Sequence, residues 1–210
     1  MTAHAPPPAV LIPRIDPALL ELLELVELLS FIAQMSGPKE YLVISGSLRE
    51  SSRSRILAEY LKQCYETQQV TSAFLDLRVT DLPLCDGDSA YSHPNVAQCA
   101  ELIAGARVII AATPVYNFDA NAALKNLIEL TGDSWENKVV GFLCAAGGSS
   151  SYMSVMGLAN SLMLDFRCLI IPRFVYATRS DFNEDKSLKD EVKTRITQLA
   201  QASLAIKNAV

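Results

Sequence analysis

The run Tyr41-Leu42-Val43-Ile44-Ser45-Gly46-Ser47-Leu48-Arg49-Glu50-Ser51-Ser52-Arg53-Ser54-Arg55 decides the architecture. It opens on a short apolar segment with two β-branched residues, the signature of a buried strand. It turns through Ser-Gly-Ser and enters a helical pattern at Ile56-Leu57-Ala58-Glu59-Tyr60-Leu61. The turn therefore lies at the carboxyl end of a strand and the amino end of a helix. In an open parallel sheet, unpaired N–H groups and the positive end of the helix dipole converge there, which suits an anion. Ser47, Ser52 and Ser54 add hydroxyl donors, and Arg49 adds a planar fork matched to phosphate oxygens.

Working outward, the same alternation repeats. Ser72 to Leu77 reads as a second strand, followed by a Pro- and Gly-punctuated loop from Leu82 to Asp88. His93-Pro94 leads into a helix with Val96, Cys99, Leu102 and Ile103 on one face. Val108 to Ala112 is apolar throughout, as a strand covered on both sides should be. Ala120 to Leu130 predicts the next helix, and Val139 to Ala145 a fourth strand ending in Gly147-Gly148-Ser149-Ser150-Ser151. A helix over Tyr152 to Leu164 and a fifth strand, Cys168 to Ile171, follow. A closing helix runs from Ser187 to Lys207, with Leu188, Val192, Ile196, Leu199 and Leu204 inward. Five strands alternating with helices specify an α/β three-layer sandwich with a parallel sheet and right-handed crossovers. The strand order expected is 2-1-3-4-5, over a single domain spanning 39–210.

Residues 1–38 form an extension. Met1 to Pro13 are rich in Ala and Pro and have no folding pattern, whereas Asp16-Pro17 starts an extra leucine-rich N-terminal helix over Ala18 to Gln34. Glu21, Glu24 and Glu27 give it an acidic stripe that argues against a secretory signal and against a membrane span. Either this helix packs on its own domain or a partner subunit, or Met35 is the biological start.

Composition excludes other classes. The net charge of -5 argues against a nucleic-acid surface. The five cysteines have no CxxC spacing, and Cys144 and Cys168 lie in apolar runs, so reduced buried thiols and a cytoplasmic location are expected. With only His4 and His93, a histidine zinc site or a Ser-His-Asp hydrolase is poorly supplied, and no metal is expected. Neither GxGxxG nor GxxxxGK[ST] occurs.

The carboxyl ends of strands one, three and four open on one edge of such a sheet. After strand three come Pro114, Val115, Tyr116, Asn117 and Phe118, offering flat apolar faces and an amide. After strand four, Gly147 and Gly148 let backbone approach a planar ligand, and three serines supply donors. A phosphate cradle plus two loops for a flat polar ring describes FMN better than a dinucleotide.

Gly46-Ser47-Leu48-Arg49-x-x-Ser52-x-Ser54-Arg55-x-Leu57-Ala58 resembles the FMN-phosphate signature of the NADPH-dependent FMN reductase-like family. Pro114-x-Tyr116-Asn117 with Leu124-Lys125-Asn126 is similar to its second signature, and Gly147-Gly148 to its third. The resemblance spans about Glu40 to Arg173. It implies a flavodoxin-like fold, bound FMN, NADPH or NADH as reductant, and a homodimer or homotetramer that completes the flavin site across its interface. It implies that Ser47, Arg49, Ser52 and Ser54 hold the phosphate. Pro114, Val115, Tyr116 and Asn117 then line the ribityl chain and ring, with Gly147 and Gly148 beside the ring. Val115 stands where many members carry Glu, Asn121 where many carry Pro, and Ser54 where Asn or Thr is frequent.

The function this implies is hydride transfer from NAD(P)H through FMN to a small acceptor: a flavin, a quinone, an azo compound or a metal oxyanion. No protein acid, base or nucleophile is required, because the flavin carries the redox chemistry. The competing readings are an FMN electron carrier of the flavodoxin type without NAD(P)H activity, and a non-catalytic interaction protein. Plainer roles also exist for single residues. The serines suit an N-cap and first turn, Arg53 and Arg55 read as surface charges, and Lys125 and Asn126 as caps or pairs within their helix. Trp135 fits either the pocket rim or the base of strand four.

Overall fold

A computed structural model of the chain describes residues 40–207 and 209. The leucine-rich helix expected over Ala18 to Gln34, and the boundary at 38, lie outside the described residues. Among the described residues, no helix is long and apolar enough to cross a membrane.

Strand β1 (Tyr41–Ser45) is buried along its whole length. Its side chains alternate between two cores, as a period of two requires. Tyr41 and Val43 face a cluster built from α1 (Arg53–Thr67) and α5 (Asp190–Ile206), including Leu57, Leu61, Ile196 and Leu199. Leu42 and Ile44 face the other cluster, filled by α2 (Pro94–Gly105), α3 (Ala122–Thr131) and α4 (Met156–Phe166). The sheet is thus covered on both faces, which is why β3 (Val108–Tyr116) and β5 (Val139–Ala145) carry almost no polar residues. With β2 (Ser72–Asp76) and β6 (Leu169–Ile170), the order along the sheet is β2-β1-β3-β5-β6, all parallel. That is the expected 2-1-3-4-5 arrangement in five positions.

The strand count differs from expectation: among the described residues the sheet has seven strands, not five. One addition is β4 (Asp119–Ala120), which folds back antiparallel on the end of β3. Its turn residues, Asn117 and Phe118, have φ of 50° and 68°, the doubly left-handed geometry of a tight hairpin. The other is β7 (Val175–Ala177), the continuation of the fifth position after a break. Val140 pairs with Ile170 and Leu143 with Val175, so the edge chain uses five steps where β5 uses three. The two surplus residues bulge out around Pro172, which has no N–H to give to a ladder.

Helix α4 starts at Met156, four residues later than expected, because the segment after Gly147 spends its backbone on turns. Trp135 is fully buried at the base of β5, not at the pocket rim. Its indole N–H donates to Thr131 Oγ1 (2.9 Å), and its carbonyl accepts from the Cys168 thiol (3.1 Å). Cys99, Cys144 and Cys168 are buried free thiols, and burial pushes Cys144 up to about 12.

Candidate flavin site

The carboxyl ends of β1, β3 and β5 meet at one edge, and eight of the expected site residues line a single cleft of about 120 Å³ there: Ser47, Arg49, Ser52, Ser54, Pro114, Val115, Tyr116 and Gly147. Ser51, Arg53, Ala145 and Ala146 complete its walls. Asn117 and Gly148 are not among the lining residues. Asn117 sits in the hairpin turn, and the Gly148 carbonyl accepts from the Tyr176 hydroxyl at 2.6 Å.

Each wall follows from local chemistry. Ser52 is the N-cap of α1, its Oγ accepting from the Arg55 N–H (3.3 Å) and lying 2.9 Å from Ser54 Oγ. The plain capping role and a place on the cleft therefore coexist in one residue. The Arg49 N–H donates to Ser47 Oγ (3.3 Å), closing a tight turn that leaves the Arg49 side chain exposed. Arg53 and Arg55 are not surface charges. Arg55 forms an ion pair with Asp76 at the end of β2, both largely buried. The Arg53 guanidinium lies over the Phe182 ring (5.6 Å), and its buried Nε has no hydrogen-bond partner among the described residues. Tyr116 and Phe118 present their rings to solvent, 53 % and 57 % exposed.

The third loop hangs from β7. Tyr176 donates to the Gly148 carbonyl, and its oxygen receives the Ser151 hydroxyl at 2.7 Å. The Tyr152 ring packs against Phe174 and Tyr176, with centroids 5.2 Å and 5.5 Å away. Gly147 and Gly148 have no positive φ, and a Cβ on either would meet nothing within 4 Å. Nothing in the fold demands glycine at these two positions.

A wider cavity of about 490 Å³ opens on the other side of the first turn, between Leu48, Val79, Leu82, Leu84 and the start of α3. None of the expected site residues lines it, and its cation, Arg78, lies 3.4 Å from Glu50. The smaller cleft, with its serine hydroxyls and an Arg49 guanidinium that has no carboxylate partner among the described residues, is the better candidate for an anion.

The sequence profile of NADPH-dependent FMN reductases matches residues 40–183. The chain belongs to the NADPH-dependent FMN reductase family, a family of oxidoreductases. It is 32 % identical over 149 residues to the NAD(P)H-dependent FAD/FMN reductase of Geobacillus thermodenitrificans, covering 70 % of this chain and 79 % of that one. It is 26 % identical over 135 residues to the NADPH azoreductase of Bacillus sp., covering 63 % and 73 %. Among solved structures, the NAD(P)H:(acceptor) oxidoreductase of Paracoccus denitrificans superposes with a TM-score of 0.66, at 21 % identity, over 81 % of this chain and 98 % of that one. An archaeal flavodoxin superposes with a TM-score of 0.55, at 11 % identity, over 80 % and 99 %, which places the fold in the flavodoxin-like class.

Against this family background, two residues around the site, Tyr176 and Thr113, were not singled out by pattern reading, and a third, Asn126, has other partners than those expected. Tyr176 clasps the third loop from a strand with no motif of its own. Asn126 does not pair within its helix. It accepts from the Cys85 N–H (2.8 Å) and donates to the Pro83 carbonyl (2.9 Å), tying down the loop after β2. Lys125 does pair within the helix, with Glu129 at 3.0 Å. Thr113, buried at the end of β3, works with Asn121. Only Asn126 carried a signal, as a polar residue one turn into an otherwise apolar helix face.

Proposed function

We propose that this chain is an FMN-dependent NAD(P)H oxidoreductase that reduces a small acceptor. The observation that carries the reading is the cleft itself: three serines and Arg49, whose side chain has no partner among the described residues, line it at the amino end of α1, between the ends of β1 and β3. This donor set matches a phosphate monoester, which offers several acceptor oxygens and about two negative charges. The cleft's 120 Å³ falls below the several hundred that a drug-sized ligand occupies, so it suits the phosphate end of FMN. The ring would then lie along the open edge, between the exposed Tyr116 face and the backbone at Gly147 and Gly148. The two glycines have no reason within the fold, and close approach of a flat ligand supplies one.

Bound flavin would accept hydride from NAD(P)H and return the electrons to the acceptor. Ser47, Ser52, Ser54 and Arg49 would hold the phosphate. Pro114, Val115, Tyr116 and Asn117 would line the ribityl and ring side. The peptide groups of the second and third loops would offer hydrogen-bond donors to the polar edge of the ring. Because the edge at Tyr116 and Phe118 is exposed, a ring held there would be accessible to reductant and acceptor in turn. Relatives named as flavin reductases and azoreductases support an aromatic acceptor. A homodimer or homotetramer in the cytoplasm would complete the arrangement.

The test is a visible spectrum of purified protein supplied with FMN, followed by anaerobic NADPH. Bound-flavin absorption that bleaches on addition is the expected result. Uptake of flavin without bleaching by NADPH or NADH would assign the chain to the electron carriers instead. No uptake would remove the flavin reading.

A further inference from the structure

Asn121 stands at the N-cap of α3, where an Asn side chain ordinarily accepts from an amide in the first turn. Here it makes no such bond. Instead Nδ2 reaches across to the first turn and donates to the Gly46 carbonyl at 2.6 Å. Oδ1 accepts from Thr113 Oγ1 at 3.0 Å, and the Asn121 N–H donates to the same Thr113 oxygen at 3.2 Å. The residue is buried, and its amide oxygen would sit 3.2 Å from any Cβ placed on Gly46. On its other side, the Gly46 N–H donates to the Ala112 carbonyl at 2.8 Å. Both polar groups of Gly46 are thus fixed, one by β3 and one by Asn121.

The peptide bond between Gly46 and Ser47 is planar and trans, so its C=O and N–H point in opposite directions. Holding the carbonyl back toward α3 turns the Ser47 N–H the other way. That N–H has no backbone partner among the described residues, and Ser47 lines the cleft. Thr113 immediately precedes Pro114, so the same network joins the phosphate turn to the ring-side segment.

We infer that Asn121 is a positioning residue: through the Gly46–Ser47 peptide it aims a backbone donor at the ligand's phosphate and fixes the spacing between the phosphate turn and the ring-side loop. The inference rests on the reading of the cleft as an FMN-phosphate site. It also explains how this chain manages with Asn where many relatives by resemblance have Pro. The side chain is used on the neighbouring loop and not on its own helix.

The readout is the ratio of affinities for FMN and for riboflavin, which lacks the phosphate, measured by flavin fluorescence quenching on the full chain. In Asn121→Ala, FMN binding is expected to weaken roughly tenfold, the equivalent of one charge-assisted hydrogen bond. Riboflavin binding should stay within about twofold, as for a change away from its contacts. A merely structural role for Asn121 would weaken both flavins alike, and that result overturns the inference. Should Asn121→Ala not fold, Thr113→Val removes the hydroxyl that orients the amide at nearly constant volume, and a selective FMN loss of about threefold is expected. Arg49→Ala separates the two layers. If Arg49→Ala lowers the FMN-to-riboflavin ratio and Asn121→Ala does not, only the positioning role falls. If neither variant lowers it, the phosphate assignment falls as well.

Discussion

After β1 the chain turns through Gly46, whose N–H and C=O are both bonded and whose Cα faces the Ala112 carbonyl and Asn121. After β5 it turns through Gly147 and Gly148, where an added Cβ would meet nothing within 4 Å, and the loop hangs from the hydroxyl of Tyr176, bonded to the Gly148 carbonyl. These two turns border the same cleft edge but are built on different principles. The first is braced by neighbouring elements on every side, as suits a group of fixed shape and charge. The second is smooth, exposed and attached at few points, as suits a wall that different planar molecules must slide along. On the proposed reading, the more closely braced turn is the one that would hold the constant part of the ligand.

That contrast can be broken most directly at Arg49. Arg49→Ala is expected to weaken FMN by on the order of 2–4 kcal/mol, read by calorimetric titration, because several charge-assisted bonds disappear together. Unchanged affinity would mean the braced turn holds no phosphate. Next in size is the stability difference between two glycine substitutions. Gly46→Ala places a methyl 3.0 Å from a backbone oxygen. It should cost about 1–3 kcal/mol in urea unfolding, as overpacking does. Gly147→Ala should stay within about 0.5 kcal/mol in the unliganded protein while lowering flavin affinity. Equal unfolding costs would erase the distinction between the turns.

Tyr176→Phe removes the clasp on the third loop. A loss of about 1 kcal/mol and faster amide exchange confined to residues 147–155 are expected, with the first turn unaffected. The smallest effect is at the hairpin tip. Phe118 holds a left-handed φ of 68° with its ring in solvent. Phe118→Gly should raise the unfolding free energy by about 0.5–1 kcal/mol, since only glycine adopts that region without cost. A fall in stability would show that the exposed ring makes contacts the hairpin needs.

Most of the architecture was legible because burial writes itself into local pattern. Val108 to Ala112 and Val139 to Ala145 could only be strands covered on both faces, and Leu57, Leu61, Ile196 and Leu199 announced their helix faces by spacing. The first wall of the cleft, proposed here to take a phosphate, was legible for the same reason: Ser47, Arg49, Ser52 and Ser54 fall within one strand-turn-helix. What escaped depends on partners distant in sequence. Nothing near Tyr176 indicates Gly148, and nothing near Asn121 indicates Gly46, 75 positions away. The Arg55–Asp76 pair was missed likewise, since an arginine in a helical first turn looks solvated until the neighbouring strand is in place. The β4 hairpin was hidden because its turn lacks the glycine that usually marks one. The divided fifth strand was hidden because four apolar residues before Pro172 already resemble a finished strand.

That divided strand has a bearing on how the protein behaves in a crowded cell. Among the described residues it is the outermost member of the sheet on its side, with β6 and β7 contributing two and three residues. An uninterrupted apolar strand in that place would present a continuous row of unpaired N–H and C=O groups to any other extended chain. The two-residue bulge and Pro172 break that row into pieces too short to template a neighbour, so the molecule's most apolar layer ends in a border on which aggregates cannot readily grow.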